Sequence, residues 1–287
     1  MATLREIKQH ITGVQKTQQI TRALKMVAGV KFRRAQQSIL QARPYADRLN
    51  DIMGNVVYDV DRSLHPLLAV REPDRIAYVI FTADQGLCGS FNHNIIRRAE
   101  AEFSAHLDKI IDMIVIGKKG HDYFIKRKHN IIGSYVKFYK DLQFKKAVNI
   151  AKLTMDLYIG KKFDRIYLIY NEFKSAIRQD VTVEQLLPII PIEPDKQNRS
   201  SDFIYEPDPI KMLDTLCPRH INIKVWRILL ESYASEMGAR MTAMEYATEN
   251  ANNLINELTM EYNKARQEKI TGEILEIVSG SEALRSS

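Results

Sequence analysis

Apolar positions near the end of the chain recur in a helical rhythm. From Trp226 to Val278 there is no proline and no strand-like alternation. Along this run Met237, Met241, Met244, Ala247, Ala251, Leu254, Leu258, Tyr262 and Ala265 follow at spacings of four, three, three, four, three, four, four and three. The mean is about 3.5 residues, the repeat of helices that wrap around one another. A helix of roughly 50 residues rises about 75 Å, more than a compact domain of this size requires. Its seam therefore needs a partner. A second helical pattern runs from Thr3 to Val57 through Leu4, Ile7, Ile11, Val14, Ile20, Leu24, Val27, Ile39, Leu49, Ile52 and Val56. Gly13 and Gly29 weaken it, and Pro44 is predicted to bend or break it near Arg43.

Between these runs the period changes. Arg75–Thr82 (RIAYVIFT) and Ile110–Ile116 (IIDMIVI) are short apolar segments of strand character, as are the weaker Ile131–Phe138 and Arg165–Tyr170 (RIYLIY). Helical patterns fill the gaps at Phe91–Leu107, Gly120–Arg127 and Lys145–Ile159. Strands alternating with helices predict right-handed βαβ units and a mostly parallel sheet. Phe173–Leu187 follows its predecessor with no helix between, so it is expected to return as an antiparallel strand. Pro188, Pro191 and Pro194 then open an exposed loop. Tyr205-Glu206-Pro207-Asp208-Pro209 is a stiff extended lead into the last helix, and Pro218 is expected to break or kink that helix.

Charge links the two ends. Residues 1–48 hold four lysines and six arginines against Glu6 and Asp47, whereas residues 219–287 hold eight basic and ten acidic residues. A basic helix beside a mildly acidic one is favourable at the edges of a seam, although each exposed pair contributes little. The overall charge of +7 is thus concentrated in one helix. It permits nucleic acid as a partner, but no aromatic platform or binding motif accompanies it. With 45% hydrophobic and 27% charged residues the chain is globular in composition, and no run of about 18 apolar residues is present to span a bilayer. No apolar region follows Arg5 and Lys8, so no secretory signal is expected. Cys88 and Cys217 lack metal-ligand spacing and are expected to be reduced thiols.

The strongest candidate for chemistry is the turn after the first strand, Thr82-Ala83-Asp84-Gln85-Gly86-Leu87-Cys88-Gly89. Strand, glycine turn and helix N-terminus in that order can cradle a phosphate. Only a G-x-x-G spacing is present, however, no acidic ribose partner stands after the second strand, and no P-loop sequence occurs anywhere. A tight buried turn in which Asp84 caps the following helix is the expected role. Gly117-Lys118-Lys119-Gly120 could bind an anion, but solvated loop lysines explain it as well. The seven histidines are scattered without ligand spacing, and no nucleophile elbow occurs. Neither catalytic residues, cofactor-binding residues nor metal ligands are assigned.

Five segments, in order, resemble the gamma subunits that form the central stalk of F-type rotary ATP synthases. They are Ile11–Ala28 (ITGVQKTQQITRALKMVA), Asp84–Gly89 (DQGLCG), Tyr205–Pro209 (YEPDP), Glu236–Met244 (EMGARMTAM) and Tyr262–Thr271 (YNKARQEKIT). The resemblance implies an α/β fold class, with a long antiparallel coiled coil of the N- and C-terminal helices plus a Rossmann-like α/β domain. The expected division is residues 1–60 and 205–287 for the coiled-coil helices and 73–195 for the α/β domain. It further implies a non-catalytic rotating shaft within a hexamer of alpha and beta subunits. The other end of such a shaft joins the epsilon subunit and a ring of c subunits driven by proton or sodium flow. No cofactor and no nucleic acid is implied. Membrane association comes only through the complex, peripherally, on the cytoplasmic side of the cell (inner) membrane.

By motif, the resemblance assigns Lys25, Met26, Arg240, Arg266, Gln267 and Thr271 to the alpha/beta ring. It assigns Tyr205, Glu206, Asp208, Asp84 and Gln85 to epsilon or the c ring. The family commonly has Arg where Gln85 stands, and many relatives continue the helix where Pro218 lies. A nucleotide-dependent enzyme on the α/β domain and a nucleic-acid-binding protein using the basic helix are the competing readings.

Overall fold

The computed structural model describes residues 3–58, 61, 63, 65–175, 178–190 and 209–285. The chain begins with α1 (Leu4–Tyr58) and ends with α5 (Pro209–Arg285). Between them lie β1 (Arg75–Phe81), α2 (Phe91–Ala105), β2 (Ile110–Ile116), α3 (Lys118–Lys126), β3 (Ile131–Tyr135), α4 (Phe144–Ile159), β4 (Arg165–Phe173) and β5 (Gln179–Leu187). They divide into two units, one of Met1–Val27 with Met241–Ser287 and one of Ala28–Arg240.

α1 starts on a reciprocal cap. The Thr3 amide donates to Glu6 Oε2 at 2.7 Å, and the Glu6 amide donates to Thr3 Oγ1 at 3.3 Å. Two donors that would otherwise be orphaned at the first turn are thereby satisfied. α5 starts at Pro209, whose missing N–H costs nothing there.

Pro44 and Pro218 were expected to bend or break these helices; both lie inside continuous helix, so neither breaks its helix. An interior proline costs about 3 kcal/mol. Burial on both sides of each proline outweighs that: Ile39, Leu49, Met53 and Val56 flank Pro44, and Leu213, Cys217, Ile221 and Val225 flank Pro218.

In the unit of Ala28–Arg240 the five strands order as β3-β2-β1-β4-β5. β1 pairs in parallel with both β2 and β4, β2 pairs in parallel with β3, and β5 pairs antiparallel to β4. The central strand divides its side chains between two cores. Ala77, Val79 and Phe81 face a core shared with α4, the first part of α5 and the end of α1. Ile76, Tyr78 and Ile80 face a second core built with α2 and α3. An uninterrupted apolar run is what a strand covered on both faces requires. A smaller cluster packs Ala35 and Ile39 of α1 against Leu230 and Ala234 of α5.

β3 is shorter than its sequence suggests, ending at Tyr135 and giving way to a 3-10 turn at Phe138–Lys140. The amides of Lys137 and Tyr139 donate to the Asp84 carboxylate, which draws the chain out of the sheet. β4, by contrast, runs on to Phe173, because the returning β5 gives residues 171–173 partners down to the pair Phe173 and Gln179.

Candidate functional site

In the unit of Met1–Val27 with Met241–Ser287, side-chain hydrogen bonds tie α1 to α5 at three successive rungs among the described residues. Gln18 Nε2 donates to Asn252 Oδ1, the hydroxyls of Thr21 and Thr248 are 2.8 Å apart, and Lys25 Nζ donates to Glu245 Oε1 at 2.6 Å. Along these rungs α1 advances by three and four residues while α5 retreats by four and three. The helices are therefore antiparallel and in coiled-coil register.

The seam differs from the one read in sequence. On α5 the half-buried or buried series is Met244, Thr248, Ala251, Ile255, Leu258, Tyr262 and Ala265, alternating strictly by four and three. Thr248 and Ile255 complete that series; Ala247 is half-buried beside Thr248, whereas Leu254 is exposed. On α1 the series is Leu4, Ile7, Ile11, Val14, Gln18 and Thr21, followed by Leu24 and Lys25. Ile20 and Val27, expected in the seam, are 59% and 52% exposed. An apolar-only pattern steps over polar rungs and lands on neighbouring isoleucine and valine.

A second constellation lies within the other unit, at the turn after β1. Asp84 was expected to cap α2, but Ser90 precedes that helix and makes no side-chain cap. Asp84 Oδ1 instead accepts from the amides of Lys118 and Lys137 at 3.1 and 2.8 Å, and Oδ2 accepts from that of Tyr139 at 3.2 Å. It thus caps the start of α3 and clamps the chain after β3. Asn92 Oδ1 accepts from the Ala83 amide at 2.8 Å and holds the turn against α2. The Gly117–Gly120 turn owes its glycines to Thr82. A Cβ on Gly117 would stand 2.0 Å from the Thr82 carbonyl oxygen, and one on Gly120 would stand 2.7 Å from Thr82 Oγ1.

Arg240 is 8% exposed. Its Nη2 donates to the Gly86 carbonyl at 3.1 Å and the Gln85 carbonyl at 3.4 Å, and its Nε donates to Gly86 at 3.4 Å. Glu236 Oε1, one turn earlier on α5, lies 2.8 Å from Nη2. Burial raises the Glu236 carboxyl above its ordinary value, and the adjacent guanidinium opposes that rise. Sequence reasoning placed Arg240 and Gln85 in separate sets; the structure brings them together. Glu236 was quoted only as part of a motif, since a buried carboxylate has no signature in a single sequence.

The other assigned residues fall as follows. Lys25 is held by Glu245, Met26 is 61% exposed, and Arg266, Gln267 and Thr271 are exposed on the last part of α5. Asp84 is half-buried and the Gln85 side chain exposed. Tyr205, Glu206 and Asp208 lie outside the described residues. Among the described residues no cluster of three metal-ligating side chains occurs. Cys88 and Cys217 are free, buried thiols, and burial pushes both upward, Cys217 to about 12.

Known proteins match this chain along its whole length. The ATP synthase family model described as "ATP synthase" matches residues 3–284. The ATP synthase gamma chain of Prosthecochloris aestuarii is 45% identical, with 100% of each chain covered. That of Chlorobaculum parvum is 44% identical over 99% of this chain and 100% of its own. Among solved structures, the central stalk and c-ring of Tetrahymena thermophila mitochondrial ATP synthase aligns with a TM-score of 0.62 at 26% identity. That match covers 79% of this chain and 99% of the other. A chain of the Euglena gracilis mitochondrial ATP synthase, in an assembly with OSCP, F1 and c-ring, shares the fold with a TM-score of 0.70 at 21% identity, covering 99% and 95%.

The fold and these likenesses define a stalk subunit of a rotary, membrane-bound ATP synthase. Such a subunit is not itself catalytic. The chain belongs to the ATP synthase gamma chain family. Among the described residues no helix is long and apolar enough to cross a membrane.

Proposed function

We propose that this chain is the turning shaft that couples ion flow through a c ring to ATP synthesis and hydrolysis in an alpha/beta hexamer. Residues 1–60 and 205–287 supply the shaft helices, and residues 73–195 the α/β domain that meets epsilon and the c ring. The complex it serves lies on the cytoplasmic side of the cell membrane. One observation carries most of this reading. Continuing the register of the three rungs sets the start of α1 opposite about residue 266 of α5. Past that point α5 has no α1 beside it, yet Ile270, Ile274, Leu275, Ile277 and Val278 are 46–72% exposed. A helix bearing that much apolar surface fits an enclosing partner.

Lys25, Met26, Arg266, Gln267 and Thr271 are the side chains proposed to meet the ring. Exposed lysine and arginine facing acidic loops make weak, screened contacts, which suits a surface that must slide. Arg240 takes part through the position it holds, since its guanidinium is engaged within the chain. Asp84, Gln85, Tyr205, Glu206 and Asp208 are proposed to lie toward epsilon and the c ring.

Reconstitution tests the proposal. ATP hydrolysis by alpha and beta subunits should depend on adding this chain, in one copy per hexamer. Activity should then weaken as turns after Thr271 are removed one by one. Hydrolysis indifferent to the chain would overturn it.

A further inference from the structure

The turn after β1 and the segment Ser235–Arg240 of α5 meet at a defined place in the sheet. Chain winding runs from β1 to β2 and β3 on one side, then returns to place β4 on the other side of β1. The crevice at the carboxyl ends of two such neighbours is where open α/β sheets take their ligands. A phosphate there needs inward N–H groups. This turn offers the opposite polarity, because the carbonyl oxygens of Gln85 and Gly86 point at the Arg240 guanidinium. The ligand position is filled by the chain's own last helix.

A second tie runs beside the first. Ser235 Oγ donates to the Asn171 carbonyl at 3.1 Å, and Asn171 Nδ2 donates to the Phe91 carbonyl at 3.4 Å. Ser235 and Asn171 are buried, so these bonds bridge α5 to the ends of β4 and α2 away from water. The turn is anchored in turn by Asp84 and Asn92 to α3, to the chain after β3 and to α2. A pull on Arg240 is therefore a pull on the whole sheet.

We propose that the switch-point crevice of this sheet is a torque socket, with Arg240 as the plug and Glu236 as the residue that positions it. The proposal rests on the shaft reading above. Twisting a helix against a sheet strains whatever joins them, and apolar packing alone slips more readily than directional bonds. A guanidinium suits the role because its planar donors reach two carbonyls and a carboxylate together, which a single ammonium cannot. Glu236 and Arg240 side chains are 5% and 9% exposed, so loss of either leaves a buried charge uncompensated. Because the acceptors at the turn are main-chain oxygens, the socket does not depend on the side chain at Gln85.

Two measurements on intact material test this. In the full-length chain, hydrogen exchange of the Ala83 and Phe91 amides, which are hydrogen-bonded at the two ends of the turn, should rise at least tenfold in Arg240→Gln, less in Arg240→Lys, and not in Gln85→Ala. The amides of β2 and α3 should be unaffected. In the complete complex in vesicles, Glu236→Gln, which keeps the shape of the side chain, should leave ATP hydrolysis near wild type. The membrane potential built per ATP hydrolysed, read with a voltage-sensitive dye, should fall at least twofold. Unchanged exchange at Ala83 and Phe91 would overturn the socket. Raised exchange with an unchanged potential per ATP would reduce the crevice to a structural joint and overturn its role in torque. Failure of the wild-type chain to support hydrolysis at all would sink the shaft reading instead, a result distinct from both. Should Arg240→Gln not fold, Glu236→Gln carries both measurements.

Discussion

Thr21 of α1 and Thr248 of α5 bring their hydroxyls within 2.8 Å of each other in the seam. Each also reaches back to its own helix, Thr21 to the Gln18 carbonyl at 3.0 Å and Thr248 to the Met244 carbonyl at 2.7 Å. A hydroxyl has one proton, so one threonine bonds its own helix while the other donates across the seam. With Gln18–Asn252 and Lys25–Glu245 on either side, this makes three successive polar rungs. Polar groups in a seam fix register and orientation at some cost in stability.

Replacing either hydroxyl loses the one bond across the seam and leaves the other threonine bonded only to its own helix, so replacing the second loses no further cross-seam bond. Thr21→Val or Thr248→Val alone should destabilise the chain by about 1 kcal/mol, and the double variant should cost less than the two singles together. Urea unfolding of the four chains gives the coupling directly. Strict additivity would show that the bond is not made.

Asp84→Asn removes one of two acceptor oxygens from a carboxylate serving three backbone amides. A loss of roughly 2–4 kcal/mol is expected. Faster amide exchange should be confined to Lys118, Lys137 and Tyr139, and an even rise across the sheet would argue against the clamp.

Gly117→Ala puts a methyl group against the Thr82 carbonyl in a residue whose φ is +93°. Neither the backbone angle nor the contact can relax cheaply, so a loss of about 3 kcal/mol is expected. Gly13→Ala, where no atom lies within 4 Å of the new carbon, should instead stabilise α1 by up to about 1 kcal/mol. Melting temperatures of the two variants should move in opposite directions.

His220 lines a cavity of about 210 Å³ with Glu184, Gln185, Lys224 and Arg227. Burial, reinforced by Lys224 and Arg227 and opposed by Glu184, holds its imidazole down at about 4. An unfolded histidine takes up its proton near pH 6.5, so the unfolded chain binds more protons between pH 6.5 and 4. Stability should fall as pH drops through that window, by up to roughly 3 kcal/mol from this group. Burial also depresses His65, which acts in the same direction. His220→Gln should flatten the pH dependence of the urea midpoint, and an unaltered slope would place its cause elsewhere.

Cys88 and Cys217 should resist thiol reagents at neutral pH, because both are buried and their pKa values are raised. Labelling should track global unfolding, with both thiols reacting within one denaturant transition. Rapid labelling of the native chain at either position would contradict that burial.

The sequence by itself determined the element order and the class. Short apolar runs and period-3.6 patterns sort strands from helices because each records which neighbours a residue must face, and β2 runs from Ile110 to Ile116 as its apolar run does. Motifs spread over the chain were enough to identify the family. Tertiary structure decided what local pattern cannot encode. Pro44 and Pro218 stay inside helices because burial on either side outweighs a local cost. Ile255 rather than Leu254 faces the seam, and Thr248 makes its rung beside Ala247, because an opposing helix selects by position and not by hydrophobicity. Asp84 clamps α3 and the chain after β3, and Arg240 plugs the crevice beyond β1, because their partners are backbone amides and carbonyls 34 to 155 residues away. Every residue carries such groups, so nothing in the sequence marks the ones that will be used.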